Sequence, residues 1–182
     1  MTAFRPFALC AALAVFIPGA LTMAQAADPA PAFDFASIDG GSYSTADWRG
    51  KPVLVVNTAS MCGYTPQYTD LQALSDLYGE KAVVLAVPSD DFNQELADDA
   101  AVKEFCELNY SLTLPMTTIE HVATGEVHPF YAWAKAQTGF VPGWNFNKVL
   151  IGPDGQIVKS WGSNAQPMGA IKDQIDALLA KG

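Results

Sequence analysis

Basic residues are scarce in this chain: 10 Lys and Arg stand against 19 Asp and Glu in 182 residues, a formal net charge of −9. A polyanion finds no basic stripe to settle on, so nucleic acid and anionic membrane surfaces are not expected as partners. Histidine is rarer still, with two residues, His121 and His128. Neither belongs to a metal-ligand spacing pattern, and the run from His128 through Pro129 reads as a helix start, so no metal and no cofactor is expected. The sequence also lacks a glycine-rich phosphate cradle and a serine elbow, which removes the commonest nucleotide-binding and hydrolase signatures. It has no internal repeat, and outside residues 27–32 no low-complexity stretch.

Long apolar runs are confined to the N-terminus. Arg5 precedes an apolar stretch over 7–23, and Ala24-Gln25-Ala26 then presents small residues at the positions a signal peptidase reads. Pro18 and Gly19 interrupt the stretch, which is short for a membrane span. Residues 1–26 are therefore predicted to be a cleavable signal peptide, giving a periplasmic or secreted protein without stable membrane insertion. Cys10 precedes most of the apolar region, which argues against lipid attachment there. Residues 27–32, with two prolines, read as a flexible leader, and residues 33–182 as one domain. Cleavage after Ala26 leaves 156 of the 182 residues, enough for one core and too few for two, and moves the charge to −10 because Arg5 is lost with no acid.

Of three cysteines, Cys62 and Cys106 remain after cleavage. In an exported protein one pair suggests a structural disulfide. A domain of this size needs no such staple, and the setting of Cys62 favours redox use. The apolar run over 52–56 ends just before it, as a strand buried on both faces should. Leu71, Leu74, Leu77 and Tyr78 follow at helical spacing. A cysteine in the turn between them meets free backbone N–H groups and the positive end of a helix dipole, both of which stabilise a thiolate.

The remaining pattern predicts a hairpin over 33–45, a strand over 53–57, a helix over 65–78, an apolar strand over 82–87 and a helix over 99–109. A helix over 129–137, a hairpin over 149–161 and a closing helix carrying Ile171, Ile175, Leu178 and Leu179 complete it. Strand–helix–strand order implies parallel pairing with right-handed crossover. Together these elements are similar to an α/β thioredoxin-like fold, a mixed sheet flanked by helices.

Four ordered segments, NTASMCGYT (57–65), VPSDDFNQE (87–95), FCELNY (105–110) and GWNFNKVLI (143–151), resemble the glutathione peroxidase family in its cysteine-containing, thioredoxin-dependent form. The resemblance runs from about Phe33 to the C-terminus. It implies a peroxidase in which Cys62 is oxidised by hydrogen peroxide or an organic hydroperoxide, with Gln94, Trp144 and Asn145 as neutral donors around it. Amide and indole N–H groups suit that role because they do not titrate or compete with the thiolate. The loop departs from the family pattern: one residue, not two, separates Phe92 from Gln94, and Leu96 stands where a proline is usual. Asn93 is the alternative occupant if the loop turns differently.

Cys106 falls where the family's resolving cysteine lies. Its plainer reading is a small apolar residue sharing an inward helix face with Phe105 and Leu108. The turn holds Cys62-Gly63-Tyr64-Thr65, with threonine where a C-x-x-C disulfide exchanger has its second cysteine. That favours peroxide as oxidant, since peroxide attack needs a single nucleophile. A redox sensor or relay that passes oxidation to a partner protein is the alternative. A copper-delivery module is disfavoured for want of a cysteine pair with a placed histidine. The expected reductant is a thioredoxin-like protein, or glutathione, with too few basic residues to favour the anionic tripeptide. A monomer is expected, because no long insertion separates Tyr110 from Pro129.

Overall fold

The apolar run over 53–56 offers no face to water, and the strand that it opens, β3 (Val53–Thr58), is buried at all six positions. The computed structural model describes Met1 and residues 30–181. The predicted signal peptide beyond Met1, Cys10 and residues 27–29 lie outside the described residues.

A short hairpin, β1 (Asp34–Ala36) against β2 (Ser42–Ser44), opens the domain. After β3 come α1 (Gln67–Tyr78), β4 (Val83–Pro88), α2 (Asp99–Tyr110), α3 (Pro129–Thr138), β5 (Lys148–Ile151) and β6 (Ile157–Trp161). The turn at Pro167–Ile171 leads into α4 (Lys172–Leu179). The main sheet has the order β4-β3-β5-β6. β3 runs parallel to β4, as the strand–helix–strand order predicts, and antiparallel to β5, which pairs antiparallel with β6.

Strand side chains alternate faces, and β3 separates two cores accordingly. Leu54 and Val56 join Leu71, Leu74 and Tyr78 of α1 and Ile175 of α4, while Val53 and Val55 join Phe33, Phe35 and Phe130 on the opposite face. Each such Leu, Val or Phe contributes about 1.5–3 kcal/mol through removal from water. Cys62 and Cys106 both belong to the first core.

Two expectations are corrected. Leu77 is 54% exposed, because Leu71, Leu74 and Tyr78 already fill the inward helical face and Leu77 is one residue out of phase. Leu108 is 76% exposed for the same geometric reason: α2 turns Val102 and Cys106 inward, four residues apart, and leaves Leu108 on the outside. Of the residues predicted as a leader, 30–32 are described: Ala30 is buried, and the Arg49 guanidinium donates to the carbonyls of Ala30 and Pro31 and, at 3.1 Å, of Asp154. No helix among the described residues is long and apolar enough to cross a membrane.

Candidate active site

β3 ends at Thr58 and α1 begins at Gln67, so residues 59–66 form the turn that carries Cys62. Thr65, in the place of a second cysteine, clasps this turn. Its hydroxyl accepts from the Cys62 N–H at 3.1 Å, and its proton lies within reach of the carbonyls of Ala59 (2.8 Å) and Cys62 (2.7 Å). The Tyr64 N–H donates to the Cys62 sulfur at 3.4 Å, placing a fixed dipole against it. Cys62 is buried, at 7% exposure, and both cysteines are free thiols.

A second arm comes from the segment before β5. Asn57, the polar residue in an otherwise apolar run, donates through its amide to the Trp144 carbonyl at 3.0 Å and accepts from the Asn147 N–H at 3.1 Å. The Phe146 N–H donates to the Asn57 carbonyl at 2.6 Å. Phe146 adopts φ 59, a left-handed conformation uncommon for a bulky side chain, and it is fully buried with its ring 5.3 Å from Tyr68. Packing and hydrogen bonds thus force a reversal directly after Trp144 and Asn145. Asn145 is fully buried; Trp144 is 41% exposed, its ring 5.4 Å from that of Phe92.

The loop after β4 supplies the third arm. Asn93 is exposed at φ 55, its N–H closing a turn onto the Asp90 carbonyl at 2.9 Å. Gln94 is the residue that faces the site: its Oε1 accepts from the Asn145 amide at 3.2 Å, and its backbone carbonyl accepts from the Met61 N–H at 2.9 Å. Glu95 adds a stitch, accepting from the Ser60 N–H at 2.9 Å. Burial raises the Glu95 carboxyl above its ordinary range, opposed by the hydrogen bonds from Ser60 and Leu96. The shortened loop therefore brings Gln94, not Asn93, against Asn145 and beside the cysteine turn.

Cys106 lies on α2 at 2% exposure. Burial pushes its thiol up to about 11, with the Tyr68 hydroxyl pulling the other way. It lines a small cavity of about 50 Å³ with Ile38, Leu112, Leu114 and Met116. No group of three or more potential metal ligands occurs among the described residues.

Sequence reasoning missed the layer behind these arms: Asn57, Asn147, Ser163, Gln67 and Lys148. Two signals were present. An asparagine near the end of VLVVNT and a lysine directly before VLI are polar residues in buried strands, which need a partner.

The family description "Glutathione peroxidase" matches residues 32–135. A glutathione peroxidase of Lactococcus lactis is 36% identical over 155 residues, spanning 81% of this chain and 98% of the relative. A glutathione peroxidase-like peroxiredoxin of Schizosaccharomyces pombe is 37% identical over 147 residues, spanning 78% and 92%. The crystal structure of T. cruzi GPX1 matches at a TM-score of 0.64 and 27% identity over 81% of this chain and 94% of that one. A thioredoxin-like sheet with a lone cysteine in its first strand–helix turn is the frame of a thiol peroxidase. The chain belongs to the glutathione peroxidase family.

Proposed function

We propose that Cys62 is the thiol that peroxide oxidises, with Gln94, Trp144 and Asn145 as its polar surround. The observation that carries this is the pair of bonds joining Gln94 to Asn145 through its side chain and to Met61, the neighbour of Cys62, through its carbonyl. The Cys62 thiolate attacks one peroxide oxygen, the O–O bond breaks, and the alkoxide or hydroxide leaves as alcohol or water by taking up a proton from solvent. Sulfur is oxidised to the sulfenic acid while the peroxide is reduced. Neutral N–H donors stabilise the charge that develops on the departing oxygen. Cys62→Ser is expected to abolish peroxide consumption; full activity in that variant would overturn the assignment.

Cys106 then attacks the Cys62 sulfenic acid, giving a disulfide and water, and a dithiol reductant returns both thiols. A thioredoxin-like reductant is favoured over glutathione by the shortage of basic residues and by the peroxiredoxin-like relative. Cys106→Ser should consume one equivalent of peroxide and then stall with a thioredoxin system. An unchanged steady-state rate rejects the resolving role. Oxidation of thioredoxin and of glutathione, run side by side, decides the reductant. The protein is proposed to act as an exported, periplasmic or secreted monomer, which cell fractionation and sedimentation test directly.

A further inference from the structure

Lys148 opens β5 with no exposed surface, and no carboxylate lies within ion-pair distance of it among the described residues. Burying an ammonium without a counterion is costly unless hydrogen bonds take up its N–H groups. Three neutral acceptors take its three N–H bonds: Gln67 Oε1 at 2.5 Å, the Ala165 carbonyl at 2.8 Å and the Ser163 carbonyl at 3.3 Å. Burial alone, with no charged neighbour contributing, pulls the group down to about 8. The charged side chains of the packed elements, Asp70 and Asp76 on α1 and Lys159 on β6, form no ion pair with it, and the facing stretch of β3 is apolar.

These acceptors connect to two arms of the site. Gln67 is the first residue of α1, and its N–H donates at 2.9 Å to the carbonyl of Tyr64, whose own N–H reaches the Cys62 sulfur. Gln67 also donates through Nε2 to the Ser163 carbonyl at 2.7 Å. On the other side, the Ser163 hydroxyl donates to the Asn145 carbonyl at 2.6 Å and accepts from the Asn147 amide at 3.0 Å. That amide also binds the Trp144 carbonyl at 2.8 Å. Lys148 is the junction between the cysteine turn and the Trp144–Asn145 segment.

We propose that Lys148 is a positioning residue of the peroxidase site, a buried cation that locks the two arms together and whose charge favours the anionic sulfur and the developing oxyanion. This rests on the assignment of Cys62 as the oxidised thiol. The lysine must be protonated to act, since the neutral amine offers two N–H bonds to three acceptors and no charge.

Two measurements test it. The first uses the unaltered protein: the rate of its first turnover with hydrogen peroxide, followed by rapid mixing from about pH 6 to about pH 10, should rise and then fall above about 8 as Lys148 loses its proton. A rate that reaches a plateau and stays there overturns the proposal. The second uses Lys148→Met. Its first-turnover rate should drop about ten-fold or more, the alkaline fall should vanish, and alkylation of Cys62 at neutral pH should slow about three-fold. Parent-like alkylation and turnover in a folded Lys148→Met variant also overturn it. If the variant does not fold, the profile of the unaltered protein decides. Alkylation does not require Cys62 to be the oxidised thiol, whereas peroxide consumption by Cys62→Ser tests that assignment alone.

Discussion

Asp91 gathers five hydrogen bonds on one carboxylate. Its Oδ1 takes the His121 ring at 2.6 Å and the Thr124 hydroxyl at 2.9 Å; its Oδ2 takes the backbone N–H groups of Val122, Ala123 and Thr124 at 2.7, 2.7 and 3.0 Å. Burial alone would push this carboxyl up, but the bonds from His121, Ala123 and Thr124 outweigh it and hold it at about 2, against an ordinary 3.8. A depressed carboxyl gives stability that is complete above its unfolded value and is lost as pH falls through the folded one. The loss therefore runs from about pH 4 down to about pH 2, and is worth about 2 kcal/mol. Asp91→Asn should lose that amount at neutral pH in urea denaturation and should show a flatter acid limb. His121 works in the opposite direction: Asp91 raises it, so its contribution is present below about 6.5 and fades as pH rises through the folded value. Asp91 immediately precedes Phe92 and lies three residues before Gln94, so the anchor also fixes the loop that meets Asn145. Individual residues were partly legible in the sequence. The motifs pointed to Gln94 and named Asn93 as its rival, but the turn at Asn93 that settles their placement depends on tertiary contacts with Met61 and Asn145. Lys148 and Asn57 were passed over because a polar residue in an apolar run shows that a partner exists without showing which one.

α2 is the element that must move if Cys106 is to meet Cys62, since a disulfide needs Cβ atoms within about 4 Å. Its seat is shallow: two of its twelve residues, Val102 and Cys106, are buried. It is held mainly at its start. The Asp98 side chain accepts from the Ala101 N–H at 2.9 Å as N-cap, Asp99 accepts from the Ile119 N–H at 2.8 Å, and Lys103 pairs with Asp39 at 2.6 Å. At the other end Ser111 takes a left-handed φ of 51 and closes the helix through its N–H. Asp98→Ala is expected to cost about 1 kcal/mol of helix stability, which makes opening about five-fold more frequent. Hydrogen exchange over 99–110 should accelerate, and disulfide formation after a peroxide pulse should speed up with no change in the first oxidation step. The helix bounds were readable from the acidic start and the apolar spacing. Its inward face was not, because three apolar candidates, Phe105, Cys106 and Leu108, compete for it and only the packing of Leu112, Leu114 and Met116 selects among them.

Across the whole molecule the sheet and its two cores were the most legible part, since strands buried on both faces read as continuous apolar runs and turns as Gly-Pro-Asp-Gly clusters. The latch between the chain's start and its last hairpin was not, because it depends on one long-range side chain. Arg49 spans Ala30, Pro31 and Asp154, and it passes over Gly155, where an added Cβ would displace the guanidinium from this latch. Gly155 also has φ +81, so Gly155→Ala carries both a clash and backbone strain. That variant should lose about 1–3 kcal/mol of thermal stability and expose residues 30–32 to proteases, while the rate of the first peroxide turnover is unchanged. The placement of both cysteines in one core has a further result. In the proposed cycle, moving Cys106 from its seat beside Leu112, Leu114 and Met116 toward Cys62 unpacks that seat, so the oxidised molecule is expected to melt at a lower temperature than the reduced one. A copy still waiting for its reductant is then expected to be cut faster by an added protease than a reduced copy.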